Sequence, residues 1–186
     1  TRRSLKLIHR YGFGATLITK SDLVLRDIDL LQAINEQAKC VVQMTLTTAD
    51  DELCRIIEPA VCPTSRRFEA LLKLKEAGIP TVVWLCPILP FINDTVENIE
   101  AILEMCSKAH VYGIINFGMG LTLRDGNREY FYAKLDRHFP GLKSRYIGSY
   151  GLAYELPSPN EKALNAYFHR RCEELGIVHD NDRIFA

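Results

Sequence analysis

Between residues 15 and 117 the chain alternates short apolar, β-rich runs with longer stretches at helical spacing, and no other feature restricts its fold as strongly. Ala15-Thr16-Leu17-Ile18-Thr19 is followed by a helical pattern that Ser21 or Asp22 can cap and that carries Leu23, Leu30, Leu31 and Ile34. The run Cys40-Val41-Val42-Gln43-Met44-Thr45-Leu46-Thr47 begins almost continuously apolar, as a strand buried on both faces does. A third helix starts at Thr64 or Ser65, with Phe68, Leu71, Leu72 and the Lys75 stem on one face, and leads to Thr81-Val82-Val83-Trp84-Leu85. Asn93 or Asp94 can cap a fourth, carrying Ile99, Ile102, Leu103 and Cys106, before the last apolar run ends at Phe117.

This order predicts an α/β fold with four main parallel strands near 15–19, 40–47, 80–86 and 113–117, joined by right-handed crossovers. Residues 1–11 read as a helix with Leu5, Leu7 and Ile8 on or near one side. Beyond Phe117 the pattern turns helical, at 127–138 and 160–175, with no long strand-like run. Tyr130, Phe131, Leu135 and Phe139 form one apolar set there, and Leu164, Tyr167, Phe168, Cys172 and Leu175 another. Four strands do not close an eight-stranded barrel, so an open sheet or a severed barrel is expected.

The chain of 186 residues is 47% hydrophobic, enough for a real core in one domain without a linker or repeat. Its 23 basic and 23 acidic residues cancel, so the net charge that drives wholesale binding to polyanions is absent. The six cysteines, at 40, 54, 62, 86, 106 and 172, form no CxxC pair, which argues against a zinc knuckle or a compact disulfide framework. Neither a cleavable leader nor an apolar run of about 18 residues is visible, so a reduced cytoplasmic setting without a membrane is expected. The opening Thr1-Arg2-Arg3, lacking a methionine, suggests a trimmed portion of a longer protein.

Parallel α/β sheets do their chemistry beyond the carboxyl ends of the strands. That rule selects Thr19-Lys20-Ser21-Asp22, Thr45-Leu46-Thr47-Thr48, Cys86-Pro87-Ile88-Leu89-Pro90 and Asn116-Phe117-Gly118-Met119-Gly120. These residues either converge on a small-ligand cleft or merely cap the following helices. Glu58 and Arg67 could grip a substrate with both charges, the arginine through a bidentate contact, while Cys62 before Pro63 reads as a turn residue more than a nucleophile. Gly118-Met119-Gly120 lacks the spacing of a phosphate-binding fingerprint, and the five histidines stand in no metal-binding motif. Residues 121–151 hold six Lys/Arg against three Asp/Glu, with Arg124 and Arg128 a helical turn apart if that segment is helical, a pattern more typical of a solvated face than of phosphate or DNA-backbone contact.

Glu58-Pro59, Arg67, Pro87-Ile88-Leu89-Pro90-Phe91-Ile92-Asn93-Asp94 and Gly118-Met119-Gly120 together resemble radical S-adenosylmethionine enzymes, in the spore-photoproduct-lyase-like or DNA repair photolyase branch. Lys20-Ser21-Asp22 and Leu156-Pro157-Ser158-Pro159-Asn160 extend the resemblance over nearly the whole chain. It implies a partial TIM-like (β/α) barrel, of which residues 1–186 are the C-terminal portion with about four strands and additional C-terminal helices. It further implies S-adenosylmethionine and a 4Fe-4S cluster in the full-length parent, a substrate that is DNA or another molecule, and a lyase-like activity. The CxxxCxxC that holds the cluster is missing here, so no cluster and little activity are expected of this chain alone, and no metal ligand or catalytic residue is assigned.

By the same resemblance Thr45, Thr47, Glu58, Arg67, Cys86 and Pro87 are the cofactor-binding candidates, and Lys20, Asn116 and Met119 face the substrate. Val111, Gly113, Ile114 and Phe117 resemble the apolar strand beneath adenine. The alternative is a non-enzymatic α/β module that binds a small ligand or a partner. A severed barrel also leaves a sheet edge, on 15–19, through which copies could associate.

Overall fold

The computed structural model describes residues 1–185. Four strands, β1 (Ala15–Thr19), β2 (Cys40–Thr45), β3 (Thr81–Trp84) and β4 (Gly113–Ile115), form one parallel sheet in the order β1-β2-β3-β4. The predicted strands are present in the predicted order, though β2, β3 and β4 end sooner than the apolar runs do. In register, Leu17 faces Val42, Thr45 faces Trp84, and Trp84 faces Ile115. The helices α1 (Arg2–Arg10), α2 (Ile28–Gln37), α4 (Thr64–Glu76), α5 (Val96–Lys108) and α8 (Glu161–Leu175) bury one side of this sheet.

Side-chain alternation divides the two faces. Val42, Met44, Val83 and Ile114 are fully buried toward the helices. Thr16, Ile18, Gln43 and Trp84 project the other way, where Gln43 donates to Thr16 Oγ1 at 2.9 Å and accepts from Trp84 Nε1 at 2.5 Å. Beyond β4, Ile114 N–H donates to the Val178 carbonyl at 2.8 Å, so residue 178 extends the sheet on that side. On the other side β1 is the terminal strand, with β2 as its neighbour.

Several helical expectations shift. A 3-10 helix, Asp22–Asp27, follows the Ser21 cap, so Leu23 leaves the buried face and is exposed, as is Leu7 on α1. On α4 the buried stripe is Arg67, Ala70, Leu71 and Leu74, rotated from the Phe68, Leu71, Leu72 and Lys75 face. A buried ion pair made by Arg67 sets that rotation. Thr95 caps α5, because Asn93 and Asp94 are spent elsewhere: Asn93 Nδ2 donates to the Thr47 carbonyl at 2.7 Å, and Asp94 accepts from Ser158 Oγ at 2.6 Å.

Two further helices, α3 (Asp51–Ile57) and α7 (Leu142–Tyr150), join the expected α6 (Asn127–His138), and α9 (Asn181–Phe185) closes the described chain. Tyr130 on α6 is exposed rather than packed with Phe131 and Leu135. Two three-residue strands, β5 (Gly120–Thr122) and β6 (Glu155–Pro157), pair antiparallel where no strand was expected. Gly120 permits that pairing, since a Cβ there would lie 2.6 Å from the Leu156 carbonyl oxygen. No helix among the described residues is long and apolar enough to cross a membrane.

Candidate functional site

The carboxyl ends of the parallel strands gather Lys20 after β1, Thr47 after β2, Cys86 and Pro87 after β3, and Asn116 after β4. Glu58, at the end of α3, joins this group through charge. One of its oxygens accepts from Lys20 and the other from Arg67 Nη1 at 2.7 Å. Arg67 is fully buried, and it also donates to the Thr45 carbonyl at 3.0 Å and the Cys62 carbonyl at 2.8 Å. Burial opposes ionisation of Glu58, but hydrogen bonds from Lys20 and Arg67 outweigh it and hold the carboxyl below its usual range.

Two cavities adjoin this network, and Pro87 lines both. The smaller, about 220 Å³, lies between the end of α3 and α6 and includes Lys20, Thr47 and Glu58. The larger, about 540 Å³, lies between the ends of β3 and β4 and the β5–β6 pair, and includes Cys86, Phe117, Gly118, Glu155 and Glu161. Phe117 and Trp84 form an aromatic pair with ring centroids 5.7 Å apart. Gly118 has φ of 112°, and a Cβ there would stand 3.0 Å from Glu161 Oε1. The bare backbone therefore leaves room that a side chain would take.

The candidates divide accordingly. Lys20, Thr47, Glu58, Cys86 and Pro87 line one or both cavities. Thr45 lines neither; it is buried and offers its carbonyl to Arg67. Arg67 has no exposed atom to offer a ligand: its side chain is fully buried, with Nε on the Cys62 carbonyl, Nη1 on Glu58 and the Thr45 carbonyl, and Nη2 toward Cys54 Sγ at 3.5 Å. That corrects its assignment as a gripping residue. Met119 is likewise not substrate-facing, since it is fully buried in the main core among Ile88, Ile114 and Leu164. Asn116 is half-buried and serves its own loop, accepting from Gly118 N–H at 2.9 Å and donating to Asn165 at 3.2 Å. Of the adenine-strand residues, Val111, Gly113 and Ile114 are buried and Phe117 is exposed in the larger cavity.

The segment from Arg124 to Arg128 is not wholly helical, since α6 begins at Asn127, although the Arg128 N–H donates to the Arg124 carbonyl at 3.2 Å. Arg128 is occupied with the carbonyls of Leu123 and Ala153. Sequence reasoning missed the wall that α6 contributes through Phe131, Lys134 and Leu135. These residues lie far along the chain from the strand ends, and only their apolar spacing was readable.

The six cysteines are free of disulfides. Burial pushes Cys40 up to about 11 and Cys172 up to about 12, and it raises Cys86, where nearby Lys20 partly offsets it. Among the described residues no three His, Cys, Asp or Glu side chains converge to hold a metal ion. This donor set does not fit an iron–sulfur cluster.

No family model matches the chain. The uncharacterized protein Rv2578c of Mycobacterium tuberculosis is 30% identical over 146 residues, 78% of this chain and 42% of that protein. The uncharacterized protein ORF301 of Acidianus two-tailed virus is 33% identical over 133 residues, 70% of this chain and 43% of that protein. The chain thus spans less than half the length of these relatives. Among solved structures, a domain of pyruvate-formate lyase-activating enzyme from Bacteroides vulgatus superposes with a TM-score of 0.60 at 12% identity, covering 96% of this chain and 87% of that one. Spore photoproduct lyase complexed with dinucleoside spore photoproduct gives 0.63 at 14% identity, covering 94% and 52%. A mutant of that lyase with bound AdoMet gives 0.60 at 15% identity, with the same coverage. The chain therefore shares the α/β fold of these enzymes: four parallel strands of a partial (β/α) barrel, with helices outside.

Proposed function

We propose that the chain is the C-terminal portion of a radical S-adenosylmethionine partial barrel, and that the whole protein abstracts hydrogen from a nucleic-acid lesion. The observation that carries this reading is the larger cavity at the carboxyl end of a parallel sheet whose fold is shared with an AdoMet-bound lyase. A volume of about 540 Å³ falls within the roughly 300–1,000 Å³ range of small-molecule sites. Glu155 and Glu161 supply negative charge suited to a sulfonium and an ammonium group, and Phe117 supplies an aromatic face for adenine. Pro87 and the backbone at Gly118 would hold the cofactor close. When bound and reductively cleaved, S-adenosylmethionine supplies the radical that such enzymes use.

The cluster's ligands are not among this chain's residues, so in this reading they belong to another part of the whole protein, in a reducing cytoplasm. Nucleic acid as substrate rests on the dinucleoside bound by the structural neighbour.

The test measures S-adenosylmethionine binding and 5′-deoxyadenosine release by the whole protein after anaerobic reconstitution with iron and sulfide. The 186-residue chain and a Gly118→Val variant of the whole protein serve as comparisons. Product from the whole protein, stimulated by ultraviolet-damaged DNA over undamaged DNA, with loss in the variant and none from the short chain, is expected. A reconstituted whole protein that releases no 5′-deoxyadenosine would overturn the reading in favour of a ligand-binding module.

A further inference from the structure

Two histidines meet at the far side of the sheet, away from both cavities. Gly176, with φ of 68°, ends α8, and Ile177 N–H reaches back to the Cys172 carbonyl at 2.9 Å, as in a Schellman turn. The turn buries Ile177 and returns the chain toward the sheet, where residue 178 lies beside β4. His179 thereby comes against His169 of α8, with ring centroids 5.0 Å apart and planes tilted by 51°. The buried Phe168 ring backs both, at 5.3 Å from His169 and 6.1 Å from His179. His179 Nδ1 lies 3.2 Å from the Ile177 carbonyl, which can only accept, so Nδ1 carries the proton of this contact. Nε2 is then left with its lone pair, the tautomer and carbonyl-anchored orientation typical of metal-binding imidazoles. His169 is exposed, and neither of its ring nitrogens hydrogen-bonds to another described residue.

We propose that His169 and His179 together bind one divalent transition-metal ion of the imidazole-preferring kind, such as Zn²⁺, with water in the remaining positions. The spacing of the rings carries this inference. A metal–nitrogen bond of about 2.1 Å and about 1.1 Å from nitrogen to ring centre put each centroid roughly 3.2 Å from the ion, and a tetrahedral angle then separates the two by about 5.2 Å. The observed 5.0 Å agrees within a few tenths of an ångström. No third His, Cys, Asp or Glu side chain among the described residues joins the pair, and the exposed ring leaves room for water. Closed structural sites use four protein ligands, so two make a weaker and reversible clamp. It would fasten α8 to the segment that follows it. That segment also holds the loop after β4, because Asn181 Nδ2 donates to the Asn116 carbonyl at 3.0 Å. The inference is independent of the S-adenosylmethionine reading.

The probe is Zn²⁺ itself, titrated by calorimetry into the 186-residue chain without a histidine tag. His169→Ala and His179→Ala are compared with His138→Ala, an exposed histidine on α6 that stands outside the pair. Wild type and His138→Ala should bind one equivalent. Each variant of the pair should lose at least about tenfold in affinity, no less than removing a ligand's hydrogen-bond partner costs. Zn²⁺ should also raise the thermal midpoint of the wild type more than that of either pair variant, because the ion binds the folded arrangement. Metal-free melts accompany every variant, and the exposed His169 keeps the test decisive should His179→Ala unfold. A wild type that binds no Zn²⁺ would overturn the proposal. So would binding that survives both substitutions, since it places the ion on the half-buried thiols of Cys62 and Cys86. Loss in only one of two folded variants would equally overturn it, by reducing the pair to a single-histidine contact.

Discussion

Arg67 Nη1 lies 2.7 Å from Glu58 Oε2 and 3.0 Å from the Thr45 carbonyl, with none of its side chain exposed. This contact ties the end of α3 to the end of β2 across the start of α4. A buried pair of this kind is weak as net stabilisation but costly to break, because the surviving charge is left without a partner. Glu58→Gln should therefore cost about 3–5 kcal/mol, since Arg67 then stays buried and unpaired. Arg67→Met should cost less, because Glu58 keeps Lys20. Urea denaturation of both variants and the double variant gives the cycle, and purely additive effects would contradict the direct contact.

Glu58 also sets a pH dependence. Its carboxyl is held below the usual value of about 4.3, so its stabilisation is fully present above that pH. It is lost as pH falls through the lowered folded value, when protonation breaks both charge contacts. As the pH falls below about 4.3 the urea midpoint of the wild type should fall more steeply than that of Glu58→Gln. Asp51 and Glu100 are lowered too and titrate in both proteins, so the difference between the two curves isolates Glu58. Parallel curves would show that Glu58 gains nothing from Lys20 and Arg67.

The sheet was legible because parallel strands buried by helices announce themselves as apolar runs, and Val42, Met44, Val83 and Ile114 are all fully buried. The buried face of α5 was equally clear, since Ile99, Ile102, Leu103 and Cys106 keep one helical stripe. Where polar residues enter the interior, periodicity misleads. Arg67 occupies a core position on α4 that an apolar count assigns to Phe68, and Asn93 fastens a loop to the Thr47 carbonyl rather than capping a helix. The site was half legible for a related reason. Strand-end position selected Lys20, Thr47 and Pro87, which line a cavity, but it also selected the buried Met119, and nothing in the order of residues says which strand-end side chains turn inward to the core. The β5–β6 pair escaped because two three-residue strands more than thirty positions apart carry no alternation long enough to read.

Two glycine substitutions should act in opposite directions. At Gly120 a Cβ would meet backbone, 2.6 Å from the Leu156 carbonyl oxygen and 2.8 Å from Pro157 Cα, and neither can move without parting β5 from β6. Gly120→Ala should cost about 1–3 kcal/mol, the usual range for overpacking, and should open the larger cavity. Gly148 lies within α7 with nothing within 4 Å of an added Cβ. Gly148→Ala should stabilise by about 0.5–1 kcal/mol through helix propensity. Thermal melts of the two variants against the wild type check both signs, and destabilisation by Gly148→Ala would refute the α7 placement.

The last prediction concerns the open side of the sheet. β1 pairs with β2 alone, while the far side of β4 is extended by residue 178. An edge strand offers its outward backbone groups to any extended segment, and proteins commonly block such pairing with charge or proline. Within β1 no such device is present: the sequence is Ala-Thr-Leu-Ile-Thr, and Ile18 is 61% exposed on the face away from the helices. The 186-residue chain should therefore self-associate as its concentration rises, with light scattering reporting a growing mean mass. Ile18→Lys adds a charge where the side chain already faces solvent, so it should leave the thermal midpoint nearly unchanged while reducing association. A wild-type chain that stays monomeric at every concentration would sink this expectation. Association that Ile18→Lys leaves untouched would move the contact to another surface, and hydrogen exchange would then show β1 amides unprotected at high concentration.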